Sequence, residues 1–377
     1  MKNKKQRGFT LGELIGVIVL ISIIALIAVP SVIYLINQGN KKAFENSAQG
    51  IIKAADLYYY NNDMMGEILE DKVFEFPNNI EGLKIDGEVP QSGKMLVAKE
   101  GYTALAISNG KYCIKKDYLS EGLIIEEDSS NCNLPRKPIF NPNPNISSEN
   151  DCIRYDEECN NGTLVNVKVN EDENYDFYII ADTGKELTLI MDRNLGEPIE
   201  WITSTDYVTE NNKDTTPTTC EYLACNDEGP VTAINALDDR TKNWINVQNN
   251  EYTYSGIAED GITRIYDDIT RKMRARMLTY EEATSPKIGC VSVTGGGYSC
   301  PNYMYANLSD KNEPEIHWGY WSSTPSLQKT HTAFNVRADG TIHGFSYNVV
   351  YGNYSGPPKF GYYGIRPVIT ISKEKDE

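Results

Sequence analysis

Glu13 poses the sharpest chemical question in this 377-residue chain. It stands in Gly8-Phe9-Thr10-Leu11-Gly12-Glu13-Leu14, at the head of an apolar run that passes Pro30. A carboxylate at bilayer depth costs a few kcal/mol or more, so it needs a partner and a task. Lys2, Lys4, Lys5 and Arg7 precede it with no acid among them, and no cation follows within the run. Read this way, Glu13 has no partner in its own helix and must find one on a neighbour.

The eight cysteines are the second reactive set. They fall into close pairs, Cys113 with Cys132, Cys152 with Cys159, Cys220 with Cys225 and Cys290 with Cys300. An even count at short spacing, downstream of a membrane segment, points to disulfides in an oxidising compartment. A four-thiolate zinc site is the alternative, but no pair has the tight C-x-x-C spacing of metal ribbons. His317, His331 and His343 show no metal-ligand spacing, and the chain has no P-loop, G-x-S-x-G or dinucleotide fingerprint. No catalytic residue, metal site or cofactor is therefore assigned, and the chain is not read as an enzyme. Tyrosines crowd the last third (Tyr298, Tyr303, Tyr305, Tyr320, Tyr351, Tyr354, Tyr362, Tyr363) and suit either strand packing or a binding surface.

The element that must position Glu13 is a helix. From Leu14 to Ile36 the chain is apolar apart from Ser22, Ser31 and small breaks, and about 20 such residues span a bilayer. The cations ahead of it keep the N-terminus cytoplasmic. A secretory signal peptide would be shorter and end at a small-x-small site, which does not follow here. Ala43, Phe44, Ala48, Ile51, Ile52, Ala55 and Tyr59 continue at helical spacing, so one helix of about 50 residues is expected, half in membrane and half out. No basic run is read outside the first seven positions. Losing those four cations would take the net charge from −17 to −21, so the body repels nucleic acid and no nucleic-acid binding is expected.

With its short basic leader, its glutamate and Pro30 deep in the helix, this N-terminus resembles the class III leader of type IV pilins and pseudopilins. The resemblance covers about residues 1–60. It implies that a prepilin peptidase cuts after Gly8 and methylates the new amino terminus at Phe9. It also implies that other pilin subunits pack through the N-terminal helix, with Glu13 neutralised by the amine of another chain's Phe9. A paired carboxylate in an apolar bundle can set register. Pro30 removes a helical hydrogen bond and permits a kink or local melting.

Beyond the helix, 61–133 reads as a small head, with loops and short strands over 61–90 and then three short antiparallel strands with a hairpin at Asn109-Gly110. Cys113 and Cys132 would close a loop over its edge. LPRKPIFNPNPNISSEN (134–150) has the composition of an extended spacer. A second module then spans 151–377. It has a hairpin over 175–196 turning at Asp182-Thr183-Gly184-Lys185, helical spacing over 229–247, and a capping box at Thr279-x-x-Glu282. A hairpin around Asp339-Gly340 and a final strand over 364–371 follow. The chain as a whole is expected to be α+β.

The phrases MDRNLG, RARMLTYEEA, GYWSSTP and GIRPVI, in that order, resemble bacterial domains of the C-type-lectin-like fold, related in shape to formylglycine-generating enzyme. That implies pairing of the 187–191 region with 365–371, with Trp321, Pro367 and Val368 in the core and Arg366 as an anchor. The calcium-dependent sugar ligands of true C-type lectins are not matched: Glu313-Pro314-Glu315 is the nearest phrase, and no Trp-Asn-Asp occurs. Cys290 and Cys300 read as a loop staple instead of reactive thiols. The expected function is a minor pilin-like subunit, membrane-spanning before assembly and then on a surface filament, carrying a module that binds an unknown glycan or protein. The rivals are a pseudopilin of a secretion or DNA-uptake system and a membrane-anchored enzyme.

Overall fold

The computed structural model describes residues 10–65, 70–147, 149–203, 205–207, 226–258, 260–294, 297–305, 307–308, 319–326, 332–343, 347–348 and 363–375. The chain divides into two compact units, Met1–Lys137 and Pro138–Glu377. It is α+β, a long N-terminal helix followed by mostly antiparallel sheets.

In the first unit helix α1 runs from Leu11 to Met64 without interruption. Its two halves differ sharply. Residues 10–36 are all exposed, while Phe44, Ala48, Ile51, Ala54 and Ala55 are buried. The 44-48-51-55 spacing sets one face against a five-stranded antiparallel meander of β1 (Lys72–Phe76), β2 (Ser92–Val97), β3 (Thr103–Ser108), β4 (Cys113–Lys116) and β5 (Ile124–Glu126). Phe74, Met95, Leu105, Ile107 and Ile114 from the sheet complete that core. Ala43, expected on the packed face, is exposed. Of the packed side chains, Phe44 and Ile51 are the larger, each worth about 1.5–3 kcal/mol when fully buried.

The sheet has five strands where three were expected, because β1 and β5 pair at the two edges. The expected turn at Asn109-Gly110 is present. The Asn109 Oδ1 accepts from the N–H groups of Lys111 and Tyr112 (3.1 and 2.9 Å), and Gly110 takes the positive φ of 88° that the turn demands. Cys113 and Cys132 are bonded.

The second unit begins with the proline-rich stretch. From Pro138 on, this stretch is extended and hydrogen-bonded to its own unit. Ile139 N–H donates to the Arg154 carbonyl (3.0 Å) and Asn143 N–H to that of Lys373 (2.8 Å), while Ile146 bridges Val167. A four-stranded antiparallel sheet follows from β6 (Leu164–Lys168), β7 (Asn174–Asp182) and β8 (Glu186–Met191), joined by the last strand. The helix Val231–Thr241 buries Val231, Ala233, Ile234 and Leu237. Next come the hairpin β9 (Asn250–Tyr254) with β10 (Ile269–Met273), a single helical turn Tyr280–Ala283, and a second sheet. That sheet contains β11 (Val291–Val293), β12 (Gly297–Ser299), β13 (Gly319–Pro325), β14 (Thr332–Arg337), β15 (Thr341–His343) and β16 (Tyr347–Asn348).

The final strand β17 (Val368–Ser372) closes the first sheet, pairing antiparallel with β8 from Val368 opposite Ile190 to Ser372 opposite Glu186. This is the pairing expected between 187–191 and 365–371. Trp321, Pro367 and Val368 are buried. Arg366 is buried too, and its guanidinium donates to the carbonyls of Met191, Tyr303 and Met304. Burial pushes the neighbouring Tyr320 phenol up to about 12, so it stays neutral and donates to the Met304 carbonyl at 3.1 Å.

A second charged pair is locked inside this unit. Lys373 Nζ lies 2.6 Å from Asp182 Oδ2, with both side chains 1% exposed. Asp182 also accepts from the N–H groups of Cys159 (2.6 Å) and Gly184 (2.7 Å), and Lys373 donates to the Glu157 carbonyl (2.8 Å). Both carboxylate oxygens and two of the three ammonium N–H groups are thus engaged, as a buried ion pair needs hydrogen bonds besides its Coulombic contact.

One expectation about charge needs correcting. A second basic stretch does exist, Arg271, Lys272, Arg274 and Arg276. The fold partly neutralises it: Arg276 forms a two-pronged pair with Glu282, and Arg274 donates to the carbonyls of Ile245 and Val247. Arg271 and Lys272 remain exposed on a unit whose surroundings are acidic.

Candidate functional site

Gly8 and Phe9 lie outside the described residues, so the site is built from Thr10 onward. Thr10 is the N-cap of α1, with an extended backbone (φ −75°, ψ 153°). Its hydroxyl accepts from the Glu13 N–H at 3.3 Å, and Glu13 Oε2 accepts from both the Thr10 N–H and the Thr10 hydroxyl at 2.9 Å. Thr10-x-x-Glu13 is a reciprocal capping box. The expectation that Glu13 lacks a partner in its own helix is therefore corrected: two donors of Thr10 hold it. The signal was present, since the same S/T-x-x-E pattern marks Thr279 and Glu282.

A capping box satisfies hydrogen bonds but supplies no positive charge. Glu13 in the described chain has neutral donors, and no cation lies within the exposed apolar half. The carboxylate is oriented toward the start of α1. Chemically the arrangement can bind a cation at the N-terminal end of α1.

The rest of the site is the surface around that carboxylate. From Leu11 to Ile36 the large side chains are 45% to 75% exposed, Leu11 and Leu26 the most. At about 1.5–3 kcal/mol per side chain, covering this surface is worth tens of kcal/mol. The helix is long and apolar enough to cross a membrane. Inside it Ser22 and Ser31 return their hydroxyls to the carbonyls of Ile18 (2.7 Å) and Ile27 (3.1 Å), so neither presents an unmet donor to lipid. Pro30 has no N–H to give the Leu26 carbonyl, yet the helix is unbroken there.

The other predicted positions fall as follows. Cys152–Cys159 and Cys290–Cys300 are disulfides, as is Cys113–Cys132, and Cys220 and Cys225 lie outside the described residues. Glu313, Pro314, Glu315, His317 and His331 also lie outside them. Of the tyrosines, Tyr320 and Tyr363 are core, Tyr298, Tyr303 and Tyr305 are half-buried, and Tyr351, Tyr354 and Tyr362 lie outside. The described tyrosines pack the second unit and do not form an exposed platform.

No curated protein and no solved structure matches the chain. Among known families, residues 3–29 match the prokaryotic N-terminal methylation motif, which spans most of the leader, Gly8, Phe9, Glu13 and about two thirds of the apolar run. That motif implies processing by a prepilin peptidase and assembly with other pilins, and together with the apolar helix it fits membrane anchoring before assembly into an extracellular filament. The N-terminus of this chain is that of a type IV pilin-like or pseudopilin protein.

Proposed function

We propose that the chain is a minor type IV pilin-like subunit that carries its second unit outward as a binding module. The observation that carries this reading is the division of α1 into an apolar half exposed on every side and a half docked on its own sheet. Such a helix is built to pass from lipid into a bundle of like helices. The second unit, residues 138–377, is larger than the unit that bears the helix. A repeating shaft would be crowded by it, which favours placement at a tip or in low copy.

The C-type-lectin-like reading of that unit is supported by the antiparallel closure of β17 on β8 and by the buried Arg366 anchor. Binding, not catalysis, is its proposed task, with a glycan or a surface protein as ligand. The test presents the purified chain to glycan and host-surface arrays and, in parallel, to a panel of hydrolase substrates. Saturable capture without turnover is expected. Turnover without capture would make the chain a membrane-anchored enzyme.

A further inference from the structure

At the foot of the first unit lies a cleft of about 620 Å³ between α1 and the sheet-side loops. The face of α1 that meets the sheet is apolar at Ile51, Ala48 and Phe44. One turn lower it becomes Asn40 and then Asn37. The amides follow the same helical stripe, so the packed face turns polar where the sheet ends. Lys111 reaches into this corner from the β3–β4 turn and donates to Asn37 Oδ1 at 2.7 Å. Glu88, Gln91, Phe44 and Tyr112 also line the cleft.

The height of the cleft follows from helix geometry. The exposed apolar run ends at Ile36, and four residues at about 1.5 Å each put Asn40 roughly 6 Å beyond it. A headgroup layer is about 5–8 Å thick on each side of the hydrocarbon. In a subunit held in the membrane, the mouth of the cleft lies in that layer. Its charges are one cation, Lys111, and one acid, Glu88, set among amides. A purely anionic headgroup would leave Glu88 opposed. A choline has no N–H for the carboxylate and amide oxygens to accept.

We propose that this cleft holds the phosphoethanolamine headgroup of a phospholipid from the leaflet through which α1 emerges. Lys111 takes the phosphate, while Glu88 and the amide oxygens accept from the ammonium. The proposal rests on the membrane-anchored reading of α1.

The test reconstitutes the full chain into vesicles of phosphatidylethanolamine and phosphatidylglycerol doped with a phosphatidylethanolamine that carries a photoreactive headgroup. Lys111→Gln and Glu88→Gln are compared with wild type by vesicle flotation and by mass mapping of labelled peptides. All three chains should float. Wild-type labelling should concentrate at 88–91 and 109–112 and fall about tenfold in each variant, the loss of one charge-assisted bond. Unlabelled phosphatidylethanolamine should compete, and phosphatidylcholine should not. An intact Cys113–Cys132 disulfide in Lys111→Gln shows that the turn still folds. Floating chains labelled equally in wild type and variants, competed equally by phosphatidylcholine, or crosslinked there to a second copy, would overturn the proposal. A wild-type chain that fails to float would overturn the anchored reading and the proposal with it.

Discussion

Replacing Glu13 separates two things the carboxylate could do. In the described chain it closes a capping box with Thr10, with hydrogen bonds of 2.9, 2.9 and 3.3 Å. Losing a cap costs about 0.5–2 kcal/mol, typically about 1. Losing one partner of a buried ion pair costs about 3–5 kcal/mol, or two to more than three orders of magnitude in an equilibrium. If Glu13 meets the amine of another chain's Phe9, Glu13→Ala should fall by the larger amount. Thr10→Val, which removes only the hydroxyl, should fall by about fivefold. Glu13→Gln keeps an acceptor for Thr10 but not the charge, and should behave like Glu13→Ala. The assay co-expresses tagged wild-type and variant chains and compares their shares in sheared surface filaments and in the membrane fraction. Membrane shares should stay equal, because removing the charge makes insertion easier. Equal filament losses for Glu13→Ala and Thr10→Val, with Glu13→Gln restored to wild type, would mean that Glu13 only caps its own helix.

Three further outcomes follow from named contacts. Asp182→Asn leaves Lys373 buried without its counter-charge and should destabilise the second unit by about 3–5 kcal/mol. All four tryptophans, Trp201, Trp244, Trp318 and Trp321, lie in that unit, so urea unfolding followed by tryptophan fluorescence reads it directly, and an unmoved midpoint would contradict the pair's role. Thiol titration of the unreduced chain should give close to zero: three bonded pairs are described, and two free thiols would show Cys220 and Cys225 unlinked. In the first unit, burial acts to raise the Asp71 carboxyl, but Lys137 (2.8 Å) and the Lys99 N–H (3.0 Å) outweigh it and hold it below the usual range. A depressed carboxylate contributes stability above its unfolded value of about 3.9 and loses it as pH falls through the folded one. Proteolysis near Lys137 should therefore rise only below about pH 4, and Lys137→Met should abolish that step.

The parts of this protein that were legible in the sequence are those set by local rules. An uncut apolar run followed by 44-48-51-55 spacing dictates one helix with two environments, and Asn109-Gly110 dictates a turn. The edge strands β1 and β5 were not legible as sheet members, because a strand of three to five residues is decided by its partner and not by its own pattern. The Asp182–Lys373 pair was invisible for the same reason: only the closure of β17 on β8 brings the two residues together. Thr10 was missed differently. Its pattern is local and plain, but a carboxylate at the head of an apolar helix can be satisfied by a neighbour's cation as well as by its own cap, and the pattern alone does not choose between them. The tyrosines show the limit of composition, since an aromatic-rich stretch fits a core as well as it fits a binding face.

The most direct test of the account is the mass of the amino terminus in chains recovered from sheared surface filaments. The account predicts that residues 1–8 are gone and that the chain begins with N-methylated Phe9. A Gly8→Arg chain should keep its leader, stay in the membrane fraction and be missing from filaments. An intact Met1 on filament-borne chains, or Gly8→Arg chains incorporated as well as wild type, would contradict the pilin-like reading at its root.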